Sequence, residues 1–240
     1  MIYKDFKMSR GENAKWTFFM FVLFTTFSSC GNCTENKTNI TLTDTVLTTE
    51  KTEKEFYTVK KLFVVGDFDG DGITDTLFEH NHSNLTGTEI DSFLRTDDWK
   101  PFFDWFYAQE PDLRLTFNKK GRDTLHLGEN LGLFCLINIG DNNSDGKDEI
   151  ALVTNLCDWS NLNSCLIYTL CNNKWTLIKE FNIHESSFYY AAGEEQPVFN
   201  EIEGYLEKRN GEWFYLDFFE VWDTEEEVGQ MKPLKIEKCK

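Results

Sequence analysis

Gly66-Asp67-Phe68-Asp69-Gly70-Asp71-Gly72-Ile73-Thr74-Asp75 places carboxylates at positions 1, 3, 5 and 9 of a loop counted from Asp67, with glycine at positions 4 and 6. Alternate residues of a tightly curled loop can all turn a side chain inward, and a hard divalent cation takes roughly six to eight oxygens at short distance. Gly72 lets the chain reverse without a steric penalty. The final carboxylate, Asp75, can then come back to the ion, and Ile73 would add its backbone carbonyl. Four acids gathered without a cation repel one another, which is itself an argument for a metal. Oxygen donors in that number on a flexible loop suit calcium, the expected ion.

The scheme recurs 74 residues later as Asp141-Asn142-Asn143-Ser144-Asp145-Gly146-Lys147-Asp148-Glu149. Here an amide, Asn143, stands at position 3 and the longer Glu149 at position 9, with Asp141 and Asp145 between them in role and Lys147 at position 7. The second loop carries less negative charge, so it is expected to be the weaker of two calcium sites. Each loop lies between apolar runs, Phe56 to Val65 and Thr76 to Phe78 for the first, Leu133 to Ile139 and Ile150 to Val153 for the second. A strand, loop, strand unit therefore occurs twice. A helix-loop-helix calcium site needs an acid at position 12. The residues there are Phe78 and Leu152, apolar strand residues, which excludes it.

Gly66 to Gly72 with Asp75, and Gly140 to Asn143 through Asp145 and Gly146 with Glu149 and Ile150, resemble the FG-GAP or VCBS repeat. That repeat is a β-hairpin calcium loop found in integrin-type β-propellers and in many bacterial surface proteins. The resemblance implies two calcium ions held by hairpin loops. A full propeller needs several blades of about four strands each. The chain of 240 residues is too short for the usual seven. The expectation is propeller-like blades in a shortened assembly, or calcium hairpins inserted in another β fold.

Further turn signals fill in the architecture. Leu113, Leu115 and Phe117 alternate with polar residues and lead through a glycine-containing turn to Thr124–Leu127, a hairpin pattern. Cys165–Leu170 and Trp175–Ile183 flank Asn172-Asn173; Tyr205–Lys208 and Trp213–Val221 flank Asn210-Gly211, the strongest turn signal in the chain. The aromatic stretch Ile90–Glu110 is broken by Pro101, after which a short helix is expected. The sum is a mainly antiparallel β protein of eight to ten strands with little helix.

Composition bounds the partners. Formal charge is -17, and 40% of residues are apolar, with 22 Phe and 7 Trp to bury. That is enough for a folded core. A surface so acidic disfavours nucleic-acid phosphates and anionic lipid and favours cations.

The first thirty residues have another character. Lys4, Lys7, Arg10 and Lys15 precede the apolar run Trp16–Phe27, followed by Ser28, Ser29 and Cys30, the layout of a secretory signal peptide. A run of this length is short for a transmembrane helix. Small residues before a cysteine followed by Gly31 and Asn32 resemble a bacterial lipobox, which implies that residues 1–29 are removed and Cys30 carries the lipid. Residues 30–54 would then be a tether and 55–240 one β-rich domain on the cell envelope. The remaining cysteines are Cys33, Cys135, Cys157, Cys165, Cys171 and Cys239; an oxidising compartment permits disulfides, and the closeness of Cys157, Cys165 and Cys171 points to a local bridge without selecting a pairing.

His80 and His82 fall on one face of a strand but have no further ligand at zinc spacing, and a solvated turn is the simpler reading. His126 and His184 stand in no motif. No nucleophile elbow, phosphate loop or dinucleotide fingerprint appears. The leading expectation is a calcium-binding envelope lipoprotein acting as a binding or scaffold module for a protein or glycan ligand. The alternatives are an envelope hydrolase acting on glycans through carboxylates that meet only in space, and a purely structural subunit. Aromatics at Phe188–Tyr190 and Trp213–Trp222 could stack on sugar rings, but such residues are more often core.

Overall fold

The computed structural model describes residues 54–190, 197–222 and 230–239. The expected leader, Cys30, Cys33, the tether up to residue 53 and the acidic run Thr224 to Val228 lie outside the described residues.

The described chain is mainly antiparallel β. The first acidic loop joins β2 (Phe63–Gly66) to β3 (Asp75–Ser83), which pairs in turn with β5 (Pro111–Phe117) and β6 (Leu125–Gly128) in a four-stranded sheet. The second loop joins β7 (Gly132–Gly140) to β8 (Glu149–Asn155), followed by β9 (Leu162–Cys171) and β10 (Lys174–His184) in a second four-stranded sheet. Strand follows strand side by side in both. Gly66 pairs with Asp75 across the first loop and Gly140 with Glu149 across the second, so the two loops have the same length and the same closing pair, although the second strand pair shifts register just before its loop, between Asn138 and Gly140. A third sheet holds β11 (Leu206–Arg209), β12 (Glu212–Tyr215) and β13 (Lys232–Pro233).

The second sheet is the middle layer. Every residue of β8 from Glu149 to Thr154 is buried, because both of its faces are covered. One face packs Cys135, Ile137, Ala151, Val153, Ile167, Phe181 and Ile183 against Leu206, Trp213 and Leu234 of the third sheet and its flanks. The other packs Leu136, Ile150 and Leu152 against Leu62, Val64, Phe68, Leu77, Leu113 and Leu115 of the first. Each such fully buried side chain is worth about 1.5 to 3 kcal/mol. Polar bonds pin the layers. Glu79 on β3 accepts from Leu62 N at 2.7 Å and from Leu133 N on β7 at 2.9 Å. The indole N–H of Trp213 donates to Ile139 O at 2.7 Å.

Four expectations are corrected here. Phe56–Val65 is not one strand: β1 (Glu55–Thr58) belongs to a separate pair with β4 (Ser92–Arg95), and β2 starts only at Phe63. The break falls at Lys60-Lys61, where the Lys61 ammonium pairs with Glu89 and Asp91. Helix α1 (Trp99–Tyr107) starts before Pro101, not after it, because Asp98 caps it by accepting from Lys100 N. Proline in the first turn costs nothing there, since those N–H groups have no helical partner. The strand expected over Trp213–Val221 stops at Tyr215; the Asp217 carboxylate accepts from Phe219 N and the chain turns into α2 (Phe218–Trp222).

The fourth correction concerns sulfur. Cys171 is bonded to Cys239, with Cα atoms 5.6 Å apart and a sequence separation of 68, while Cys135, Cys157 and Cys165 are buried and free. Closing a loop of that length contributes about 4 kcal/mol in the chain-entropy account.

Residues 84–110 form an insertion between β3 and β5, where the second sheet has only 156–161 between β8 and β9. The insertion builds its own small core from Ile90, Phe93, Leu94, Phe102 and Phe106, closed by Cys157.

Burial raises the Glu79 carboxyl from 4.5 to about 7 against the opposing pull of its two N–H donors and Lys61. The folded chain thus holds this proton more tightly than the unfolded one. The associated stability is present below pH 4.5 and is lost as pH rises through about 7, up to about 3 kcal/mol. Glu79→Gln should flatten the fall in urea-denaturation free energy between pH 5 and 7; a slope equal to wild type would show that Glu79 titrates near the ordinary value.

Candidate metal sites

The two loops share three hydrogen bonds position for position. Position 1 accepts from the N–H of position 6, Asp67 Oδ2 from Gly72 N and Asp141 Oδ2 from Gly146 N, each at 2.9 Å. Position 3 accepts from position 5: Asp69 from Asp71 N at 3.0 Å and Asn143 from Asp145 N at 2.9 Å. Position 5 accepts from position 7: Asp71 from Ile73 N at 2.8 Å and Asp145 from Lys147 N at 3.0 Å. The curl needs left-handed backbone at positions 4 and 6. Gly70 and Gly72 supply it in the first loop with φ of 74° and 78°; in the second, Ser144 adopts φ 59° beside Gly146 at 87°. A Cβ on Gly70 would lie 2.9 Å from Lys147 Cγ and 3.1 Å from Gly146 O, so glycine is called for at position 4 of the first loop though not of the second.

In the first loop, Asp67, Asp69 and Asp71 bring carboxylate oxygens within 4.8 Å of one another. The residue between the first two, Phe68, points the other way and is fully buried against Trp175, ring centroids 6.5 Å apart. That alternation is what aims the acids together. Asp75 is fully buried at the start of β3 and does not join the trio; Ile73 is 60% exposed. Asp69 Oδ2 and both oxygens of Asp75 are buried without a hydrogen bond. Cations face them instead. The Lys119 ammonium lies 2.7 Å from Asp75 Oδ1, off hydrogen-bond geometry, and Arg122 lies against Asp69. The N–H of Ile73, followed by Lys119 and Arg122, holds the Asp71 carboxyl below its usual range.

In the second loop, Asp141, Asp145 and Glu149 bring their oxygens within 4.8 Å. Glu149 is fully buried, accepting from Asn142 N and from the Asn143 amide, both at 2.8 Å. Burial pushes its carboxyl up to about 7, and the charges of Asp145 and Asp141 push in the same direction. Lys147 turns its ammonium away, donating to Leu170 O at 2.8 Å.

Both donor sets fit a hard cation by their chemistry, all oxygen from alternate positions. The acids of the first loop are faced by Lys119 and Arg122, and the buried Glu149 of the second lies beside two further acids.

The loops also touch. Asp67 N donates to Asp148 Oδ2 at 3.0 Å, and Asp148 N returns a bond to Asp67 O at 2.9 Å. The Asn138 amide spans the joint, donating to Val65 O and to Asp148 Oδ2, each at 2.9 Å. Sequence reasoning missed Asp148, Asn138, Lys119 and Arg122. Asp148 stood inside the quoted loop and was legible as an acid pointing out of it; the other three come close only through folding.

His80 and His82 lie half-buried within β3 and not in the solvated turn expected of them. His80 pairs with Glu89 and His126 with Asp112 at 2.8 Å, while His184 accepts from Ser186 N.

Gly66 sits at the joint between loops. A Cβ there would lie 2.5 Å from Asn138 Nδ2, 2.7 Å from Asp148 Oδ2 and 2.8 Å from Phe68 Cζ. Gly66→Ala should cost about 1 to 3 kcal/mol in urea denaturation, and wild-type stability would show that Asn138 and Asp148 give way freely. No family model, no curated protein and no solved structure matches the chain, so its functional reading rests on this geometry.

Proposed function

We propose that the chain is a calcium-binding module whose two loops each take one ion, in the manner of FG-GAP or VCBS repeats, with the two four-stranded sheets acting as propeller-like blades. The observation that carries this reading is that the two loops share their length, their closing strand pair, three hydrogen bonds and their place in their sheets. Asp67, Asp69 and Asp71 would hold the first ion, with Asp75 behind them; Asp141, Asp145 and Glu149 the second, with Asn143 behind them. The ion would neutralise the gathered charge and stiffen the loop; no step of chemistry is assigned to it. The module is anchored to the bacterial envelope by lipid on Cys30 and serves as a binding or scaffold unit for a protein or glycan partner.

Extracellular calcium modules bind at about 0.1 to 1 mM. At about 10 mM calcium, roughly a hundredfold above the lower figure, mass action stabilises the fold by about 2.7 kcal/mol for a site of that affinity, so Tm should rise by about 5 to 10 °C for each such site. Magnesium at the same concentration should do much less, since it demands a tighter octahedral shell. The absence of both a melting shift and heat in a calcium titration would sink the assignment. For the anchor, Cys30→Ser should move the protein from the membrane to the soluble fraction, and a variant still pelleting with membranes would exclude lipid at Cys30.

A further inference from the structure

The first loop already holds two positive charges of the protein's own. Lys119 approaches Asp75 at 2.7 Å and Asp71 at 3.4 Å; Arg122 lies against Asp69 and 3.9 Å from Asp71. Both come from the turn between β5 and β6, remote in sequence. Their side chains are 33% and 32% exposed, whereas those of Asp75 and Asp69 are 0% and 2% exposed. The anions are thus the buried half of each pair, held where water screens them least. The turn is itself braced, since Asp123 Oδ2 accepts from Trp175 N at 3.0 Å, which keeps Lys119 and Arg122 within reach of the loop.

The second loop has no such occupants. Among the described residues no basic side chain pairs with Asp141, Asp145 or Glu149. Lys147 donates to Leu170 O at 2.8 Å, and Lys238 reaches the loop only at its backbone, donating to Ser144 O at 2.7 Å. A divalent ion competes with an ammonium and a guanidinium for the same ring of carboxylates, because like charges at such range repel. In the first loop it must compete with them; in the second no carboxylate has a basic partner to give up.

We propose that Lys119 and Arg122 are built-in counter-ions of the first loop, with which calcium must compete, so that the second loop is the tighter site and fills first. This rests on the calcium reading above and reverses the order that a count of acidic residues implies. It makes Lys119 and Arg122 affinity-setting residues for a site in which they supply no ligand. It also makes the first loop self-neutralised when calcium is scarce, whereas the second carries its uncompensated charge until an ion arrives.

Calorimetric titration of the full chain with calcium, after chelation, tests the order. Two binding events are expected, the tighter abolished by Glu149→Gln and the weaker by Asp69→Asn. Lys119→Gln combined with Arg122→Gln should tighten the weaker event about tenfold, the size that two partly screened ion pairs supply together, and leave the tighter one unchanged. Loss of the tighter event in Asp69→Asn, or a weaker event that the double variant leaves as it was or weakens further, overturns the proposal while leaving calcium binding intact. No heat in the wild type removes the calcium reading and the proposal with it. Should the double variant not fold, the wild type decides: the Arg122 Nε resonance should shift only at calcium concentrations that fill the weaker site, and a resonance that never moves overturns the proposal.

Discussion

The reciprocal bond between Asp67 and Asp148, N–H of each to an oxygen of the other, is the constraint on which the arrangement of the first two sheets depends. It fixes one acidic loop against the next at the point where each leaves its strand. Everything near it is shaped to allow it. Gly66 must lack a side chain, Asn138 must supply an amide to bridge Val65 and Asp148, and Phe68 must dive into the core instead of standing in the joint. With the loops tied at that corner, β2 and β7 are brought side by side, and the apolar faces of the two sheets meet beneath them.

From that corner the layering follows. A sheet covered on one face can alternate polar and apolar residues, but β8 is covered on both and is apolar almost without interruption. Glu79 and the Trp213 indole then act as polar pins, one on each side of the middle sheet. Both satisfy backbone groups at strand positions where an unpaired N–H or C=O would be costly to bury. The loops thus stand on a rigid platform, which matters for any site that must present several oxygens at once.

Local patterns carried the parts of the fold that local energetics control. Asn172-Asn173, both in left-handed backbone, and Asn210-Gly211 close hairpins as their side chains and missing Cβ permit. The spacing of the acids foretold that Asp67, Asp69 and Asp71 converge, and Asp141, Asp145 and Glu149 likewise. What a linear reading could not reach is what folding brings from afar. Lys119 and Arg122 sit in a hairpin turn with no mark of their own, and their proximity to the first loop exists only because β5 pairs with β3. The withdrawal of Asp75 from the trio follows from the same contact. The divided strand at Lys60-Lys61 and the helix begun ahead of Pro101 were misread because a charge pair and a capping aspartate outweigh the periodicity of their neighbours. Cys171 found its partner at Cys239 rather than nearby because Cys157 closes the insertion's core and Cys165 is buried within the middle sheet.

The Cys171–Cys239 bond also determines how the molecule bears load. A pull on the C-terminus reaches Cys239 and passes straight through sulfur to the end of β9 in the middle sheet. Residues 172–238, with β10 and the whole third sheet, are looped out of the force path and cannot be drawn into an extended chain while the bond holds. The tension falls instead on the hydrogen-bonded ladder between β8 and β9. The third layer is thereby a mechanically shielded passenger, and a protein stretched from this end would behave as if it ended at Cys171.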